Sequence, residues 1–361
     1  MYLKHKIYGK LFNLFTKFPM NNKQISFIVD SNESFKGNLV YIKKEFEKRG
    51  NFQFNFFYKD KLSFSNFKKL ATSKYVFLND NFFPLAFMDF KKETKVVQLW
   101  HAPGAFKKFG ASVEGESNEM IKKIGKNIDY LITSADGVKS CYSEAFQIDI
   151  SKIKALGLPR ADYYFKNHDL KNLRFNFDSK YPLAKNKKII LYAPTFRDNS
   201  EDNNVFNFLD LEKFNNELGE DYVLVLRLHP KIKKFFKNQI GVNQNYIDCS
   251  DFINEQELLL ISDILISDYS SIMIEFAMLL KPIIFFTYDF DTYVSKDRGF
   301  YFDFKKNVPG PIVYTTDELI AEIKNNDFDK NKISEFLKTQ FNLIDGHSSE
   351  RVVDFLLNED G

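Results

Sequence analysis

A histidine stands where an apolar run stops: Gln98-Leu99-Trp100-His101 is followed by Ala102-Pro103-Gly104-Ala105-Phe106 and then by Lys107 and Lys108. Imidazole suits proton transfer near neutral pH, and paired lysines suit a phosphorylated substrate. The layout predicts a strand that delivers a titratable group to an anion-binding loop broken by Pro103 and Gly104. It also suits a histidine that only caps a strand, beside solvated lysines. A second apolar run, Val223-Leu224-Val225-Leu226-Arg227-Leu228-His229-Pro230, ends the same way in the other half of a chain that has only five histidines. Open α/β sheets bind ligands beyond the carboxyl ends of their strands, so the two histidines predict a site assembled between two domains.

Ser267-Asp268-Tyr269-Ser270-Ser271 stands where an apolar strand turns into a helix. Ser and Asp favour helix caps, and the free N–H groups of a helix start attract phosphate. Ser270 and Ser271 are expected to donate to phosphate oxygens, and Glu275, one turn on, to accept from a ribose hydroxyl. The same residues also suit a cap with no ligand. Asp345-Gly346-His347-Ser348-Ser349 predicts a similar helix start, with Gly346 letting the backbone approach an anion. Arg160, Arg197 after Pro194-Thr195-Phe196, and Arg298 before Gly299 adjoin turn residues and suit phosphate clamps. Each also suits an ordinary ion pair.

The elements that must position these groups alternate in type. Strands near 24–29, 52–57, 74–78, 95–99, 130–133 and 153–156 are separated by helices near 38–48, 118–125 and 136–146. A second set has strands near 189–192, 222–228, 264–267 and 282–287, with helices at 209–218, 255–262 and 270–280. Such alternation predicts an α/β protein of two doubly wound, Rossmann-like domains with parallel sheets, facing each other across a cleft. The boundary is expected in the polar stretch 167–188, giving domains 21–165 and 185–345. A C-terminal helix over 346–361 closes the chain. Residues 1–20 form a separate amphipathic helix, with Ile7, Leu11, Leu14, Phe15 and Phe18 at helical spacing among Lys4, Lys6, Lys10 and Lys17. No small-residue cleavage site follows, so it is not read as a secretory signal. It suits either a membrane interface or packing on its own protein.

Composition excludes several classes. The chain has 361 residues, 44% hydrophobic and 27% charged, which fits two globular domains rather than a disordered chain. A net charge of +3 disfavours a nucleic-acid partner. Two cysteines are too few for a disulfide framework or a cysteine-rich metal site. The longest apolar stretch, 272–286, is interrupted by Glu275 and Lys281, so no membrane-spanning helix is expected. No carboxylate cluster has metal-ligand spacing, so neither metal nor other cofactor is expected.

Taken in order, the following segments resemble the CDP-glycerol:glycerophosphotransferase family, which builds teichoic acids and related capsule polymers. They are Trp100-His101 with Gly104 and Lys107-Lys108, Gly157-Leu158-Pro159-Arg160-Ala161-Asp162, Tyr192-Ala193-Pro194-Thr195-Phe196-Arg197, Arg227-Leu228-His229-Pro230, Ser267 to Ser271, Lys281-Pro282, Arg298-Gly299-Phe300-Tyr301-Phe302-Asp303, Pro309-Gly310-Pro311 and Asp345-Gly346. The resemblance implies a glycosyltransferase-B type fold and transfer of an alditol phosphate from CDP-glycerol or CDP-ribitol to an acceptor hydroxyl, with release of CMP. It makes His101 the general base, and gives His229 the donor diphosphate and the charge on the CMP leaving group. Ser267, Asp268, Tyr269, Ser270 and Ser271 match the donor-binding segment, and Arg298 the phosphate-neutralising arginine. The acceptor implied is a lipid-linked saccharide or growing polyol-phosphate chain, which puts the protein peripherally on the cytoplasmic face of the cell membrane; a homo-oligomer is left open. The loop reads His-Ala-Pro-Gly-Ala rather than the His-Gly-Thr-Pro of many polymerising members. It is closer to members that add a first glycerol phosphate, which argues against long-chain polymerisation. A sugar-nucleotide glycosyltransferase of the same fold and a non-catalytic nucleotide-binding scaffold are the alternatives.

Overall fold

In a computed structural model of the chain, residues 2–30, 35–59, 63–113, 118–197, 205–229, 245–252, 254–296 and 299–359 are described. Contacts divide the chain into two compact units, Met1–Phe165 with Thr339–Gly361, and Lys166–Lys338. The second unit therefore ends earlier than the expected 345. The whole C-terminal segment from Thr339, not only a helix from 346, belongs with the first unit.

The first unit holds a parallel six-stranded sheet. Its strands are β1 (Asn21–Val29), β2 (Gln53–Tyr58), β3 (Ser73–Leu78), β4 (Lys95–Gln98), β5 (Tyr130–Thr133) and β6 (Ile153–Ala155), in the order β2-β1-β3-β4-β5-β6. Aromatic side chains fill its centre because the register stacks them. Phe27 of β1 pairs with Phe56 of β2 and Phe77 of β3, with ring centroids 5.9 and 5.6 Å apart. The α-helix Ser348–Asn358 returns to this core with Val352, Val353 and Leu356 fully buried.

The N-terminal α-helix Leu3–Phe15 packs on the same unit. Phe12 is fully buried, and a side chain at Gly9 would meet the Phe87 carbonyl oxygen. Asn13 and Asp89 exchange hydrogen bonds. Leu3, Ile7, Leu14 and Phe18 remain exposed on the helix and just beyond it. The apolar face is thus divided between the protein's own core and solvent.

The second unit holds β7 (Lys188–Tyr192), β8 (Tyr222–Leu226), β9 (Tyr246–Asp248), β10 (Ile264–Ser267), β11 (Ile283–Phe286) and β12 (Ile312–Val313), in the order β12-β11-β10-β7-β8-β9. All pairings in both sheets are parallel. This is the doubly wound α/β class expected from the sequence. The strand order reverses between β1 and β3 in one sheet and between β7 and β10 in the other, which marks where each sheet opens a crevice. Among the described residues no helix is long and apolar enough to cross a membrane.

Candidate active site

The candidate residues collect at the carboxyl ends of the strands in each unit. In the first unit, β4 ends at Gln98 and the chain turns through Trp100, whose φ of 54° is left-handed. A bulky residue pays strain there, so the turn must be held from outside. Its indole is buried against Phe109 and Phe146 and lies 4.2 Å, centroid to centroid, from the His101 ring.

His101 keeps access to solvent, and its Nδ1 lies 3.3 Å from the Asn79 carbonyl oxygen beyond β3. A carbonyl only accepts, so Nδ1 carries the hydrogen of the neutral ring and Nε2 presents a lone pair. Partial desolvation by the surrounding protein lowers the ring's pKa below 6.5; Asp80 and the Asn79 carbonyl oppose that shift, and Arg160 adds to it. The histidine is therefore mostly neutral at pH 7, the state a general base needs.

The loop after His101 is pinned rather than open. Gly104, at φ 53°, donates its N–H to Ser134 Oγ and accepts from Tyr142 Oη at 2.7 Å, while Ala105 N–H donates to Gln340 Oε1. The backbone donors of Gly104 and Ala105 are thus engaged within the protein. Lys107 and Lys108 are half-buried on the same loop, and Arg160 follows β6 near His101.

Ser348 and Ser349 were expected to meet a substrate anion. The structure corrects this. Their N–H groups each donate to Asp162 at 2.8 Å, and Ser349 Oγ donates to the same carboxylate, all buried. The anion at this helix start is the protein's own.

In the second unit, Asp268 follows β10 and is fully buried. It accepts from Thr195 N–H, Thr195 Oγ1 and, at 2.6 Å, Arg197 Nη1. Arg197, 3% exposed, also donates Nε and Nη2 to Asp289, which accepts from Tyr269 Oη as well. Burial alone would lower the guanidinium pKa, but the carboxylates of Asp268 and Asp289 hold it above its ordinary value. Three tyrosine rings, those of Tyr269, Tyr288 and Tyr293, lie within 5.6 Å of its Cζ. Arg197 is the centre of a buried network that joins the ends of β7, β10 and β11, not the phosphate clamp expected of it. Thr195, Asp268 and Tyr269 are absorbed by the same network.

Arg227 is likewise taken up: it donates to the carbonyls of Cys249 and Phe252 and pairs with Glu255 at 3.0 Å. His229, two residues on, is exposed, its ring 5.7 Å from that of Phe196. Ser270 and Ser271 are half-buried before the short helix Ile272–Ala277, where Ser270 Oγ accepts from Ile272 N–H. Glu275 is buried within that helix, and Ser267 Oγ has no hydrogen-bond partner among the described residues. Arg298 and Pro230 lie outside the described residues. Among those described, no group of three or more His, Cys, Asp or Glu side chains is arranged to hold a metal ion.

Asn38, Asn79, Asp80, Asp162 and Asp289 escape a reading of the sequence. Each acts on a partner distant in the chain, and of the five only Asp162 stands in a segment of the family resemblance. The one local signal is shared by Asn79, Asp80 and Asp289, which stand one, two and three residues beyond an apolar strand.

Comparison with known proteins gives this geometry its context. The chain is 36% identical to the teichoic acid poly(ribitol-phosphate) polymerase of Bacillus spizizenii over 98% of its own length and 59% of that protein's. It is 37% identical to the teichoic acid ribitol-phosphate primase of the same organism, over 81% of this chain and 77% of that one. A structure of the wall teichoic acid polymerase TagF, a histidine-to-asparagine variant soaked with CDPG, matches with a TM-score of 0.82 at 25% identity, covering 99% of this chain and 94% of that one. The sequence pattern of one family matches residues 10–358. The chain belongs to the CDP-glycerol:poly(glycerophosphate) glycerophosphotransferase family.

Proposed function

We propose that the protein transfers an alditol phosphate from a CDP-alditol to the hydroxyl of a lipid-linked saccharide or polyol-phosphate chain, releasing CMP, in the synthesis of a teichoic acid or capsule-type polymer. The observation that carries this reading is His101, mostly neutral at pH 7 and exposed, with Nδ1 turned to the Asn79 carbonyl. Nε2 takes the proton of the acceptor hydroxyl as its oxygen attacks the phosphorus that bears the alditol. The new oxygen–phosphorus bond forms as the anhydride bond breaks, and CMP departs with the electron pair. Such a transfer needs placement and neutralisation of charge more than covalent help from the protein. Lys107, Lys108 and Arg160 are assigned to phosphate on the acceptor side. His229, Ser270, Ser271 and Arg298 are assigned to the donor diphosphate, with Glu275 toward the ribose. No metal or other cofactor is assigned.

The two relatives named above differ in reaction, one a polymerase and one a primase, at identities of 36% and 37%. Both are named for ribitol phosphate, so CDP-ribitol stands beside CDP-glycerol as donor. The membrane contact is assigned to the exposed Leu3, Ile7, Leu14 and Phe18, set among Lys4, Lys6, Lys10 and Lys17. Apolar burial and attraction to anionic lipid add there.

The test is His101→Ala. Turnover is expected to fall by about 100-fold or more with donor binding nearly unchanged, because removing a general base acts on the chemical step. Full turnover in the folded variant would refute the assignment.

A further inference from the structure

Two buried amides grip the peptide units on either side of Trp100. Gln98 Oε1 accepts its N–H at 2.9 Å, and Asn38 Nδ2 donates to its carbonyl at 2.7 Å. Both side chains are fully buried, and the residue between them sits at φ 54°. The far ends of the same amides reach other loops of the site. Gln98 Nε2 donates to the Asp80 carbonyl at 3.3 Å, beside the residue that accepts from His101. Asn38 Oδ1 accepts the Arg160 N–H at 2.9 Å.

A left-handed tryptophan is strained and persists only where the surroundings over-determine it. Here both of its backbone polar groups are bonded to fully buried side chains. The carbonyl clamped by Asn38 belongs to the peptide that leads into His101, so its orientation sets where the imidazole points. Each amide is used at both ends, so neither can rotate by half a turn without facing donor to donor and acceptor to acceptor.

We infer that Asn38 and Gln98 are positioning residues, which hold the Trp100 turn and thereby aim His101 between the Asn79 and Arg160 loops. The inference rests on His101 being the base, and its test separates the two. Asn38→Asp keeps an acceptor for Arg160 N–H but removes the donor to the Trp100 carbonyl. Gln98→Glu keeps the acceptor for Trp100 N–H but removes the donor to Asp80. Each variant is to be compared with the intact protein for kcat and donor KM on a CDP-alditol with a lipid-linked acceptor, alone and combined with His101→Ala.

The expected result is a fall in kcat of about tenfold or more, with donor KM changed by less than about twofold. In the His101→Ala background the same substitutions are expected to cost less than about twofold more, since the group they aim is gone. Equal losses in both backgrounds, or unchanged kcat in folded variants, would overturn the positioning role. Unchanged turnover in His101→Ala alone would overturn the base instead. Proton–nitrogen correlation of the histidine ring gives a readout free of turnover: the Nδ1–H form is expected in the intact protein and is expected to be lost or mixed in the variants. Retention of that form in both variants would contradict the inference.

Discussion

His101 Nδ1 and the Asn79 carbonyl oxygen are 3.3 Å apart, and that contact decides which nitrogen of the ring is basic. It also ties the imidazole to a loop that carries Asp80, the largest of the influences that raise the ring's pKa. Arg160 acts in the opposite sense.

These opposed charges give a prediction with a sign. As the proposed general base, His101 works only when neutral, so activity is expected to fall as pH drops through its pKa, which lies below the ordinary 6.5. Asp80→Asn removes a raising charge and is expected to move the acidic limb of the kcat/KM profile to lower pH. Arg160→Gln removes a lowering charge and is expected to move it to higher pH. Shifts in the reverse directions would show that the limb reports another group.

Arg197 gives a prediction about stability. Replacing it with Met leaves Asp268 and Asp289 buried without their shared cation, and breaking such a pair from one side costs about 3–5 kcal/mol. Chemical denaturation is expected to show a loss of that order. A loss below about 1 kcal/mol, the range of surface pairs, would mean that solvent reaches the network.

The network also shows what the sequence withholds. His101 and His229 are legible because each closes an apolar strand run, and a strand end is a local feature. Arg197 beside Pro194 and Thr195 looks like a phosphate ligand because its partner Asp289 stands 92 residues later. Ser348 and Ser349 look like an anion site because Asp162, which fills it, precedes them by 186 and 187 residues. The helix Leu170–Lys180 escapes notice inside an apparently polar linker, since Phe177 is its one buried residue. β9 and β12, three and two residues long, are too short for any periodicity to register.

Ser349→Ala separates the two readings of its helix start. The hydroxyl donates to a buried carboxylate, and its loss is expected to lower stability by about 1–3 kcal/mol. Donor KM is expected to stay unchanged. A weakened KM at full stability would restore the substrate role.

The N-terminal helix is part of the fold through Gly9 and Phe12, so removing it would expose the first unit's core. Replacing Leu3, Ile7 and Leu14 by Gln instead alters only its outer face. Sedimentation with anionic vesicles is expected to fall, and in the intact protein to weaken as salt rises. Turnover on a short water-soluble acceptor is expected to persist. Equal sedimentation of the variant and the intact protein would place any membrane contact elsewhere.

The central claim is the transfer itself, and acceptor-dependent release of CMP tests it most directly. The protein is to be incubated with CDP-glycerol or CDP-ribitol, with and without a lipid-linked saccharide acceptor, with EDTA present, while CMP and acceptor-bound phosphate are measured together. One CDP-alditol is expected to yield CMP and acceptor-bound phosphate in equal amounts, only when acceptor is present, and not with His101→Ala. Absence of CMP from both donors with folded protein, or consumption of a nucleotide sugar in their place, would contradict the account.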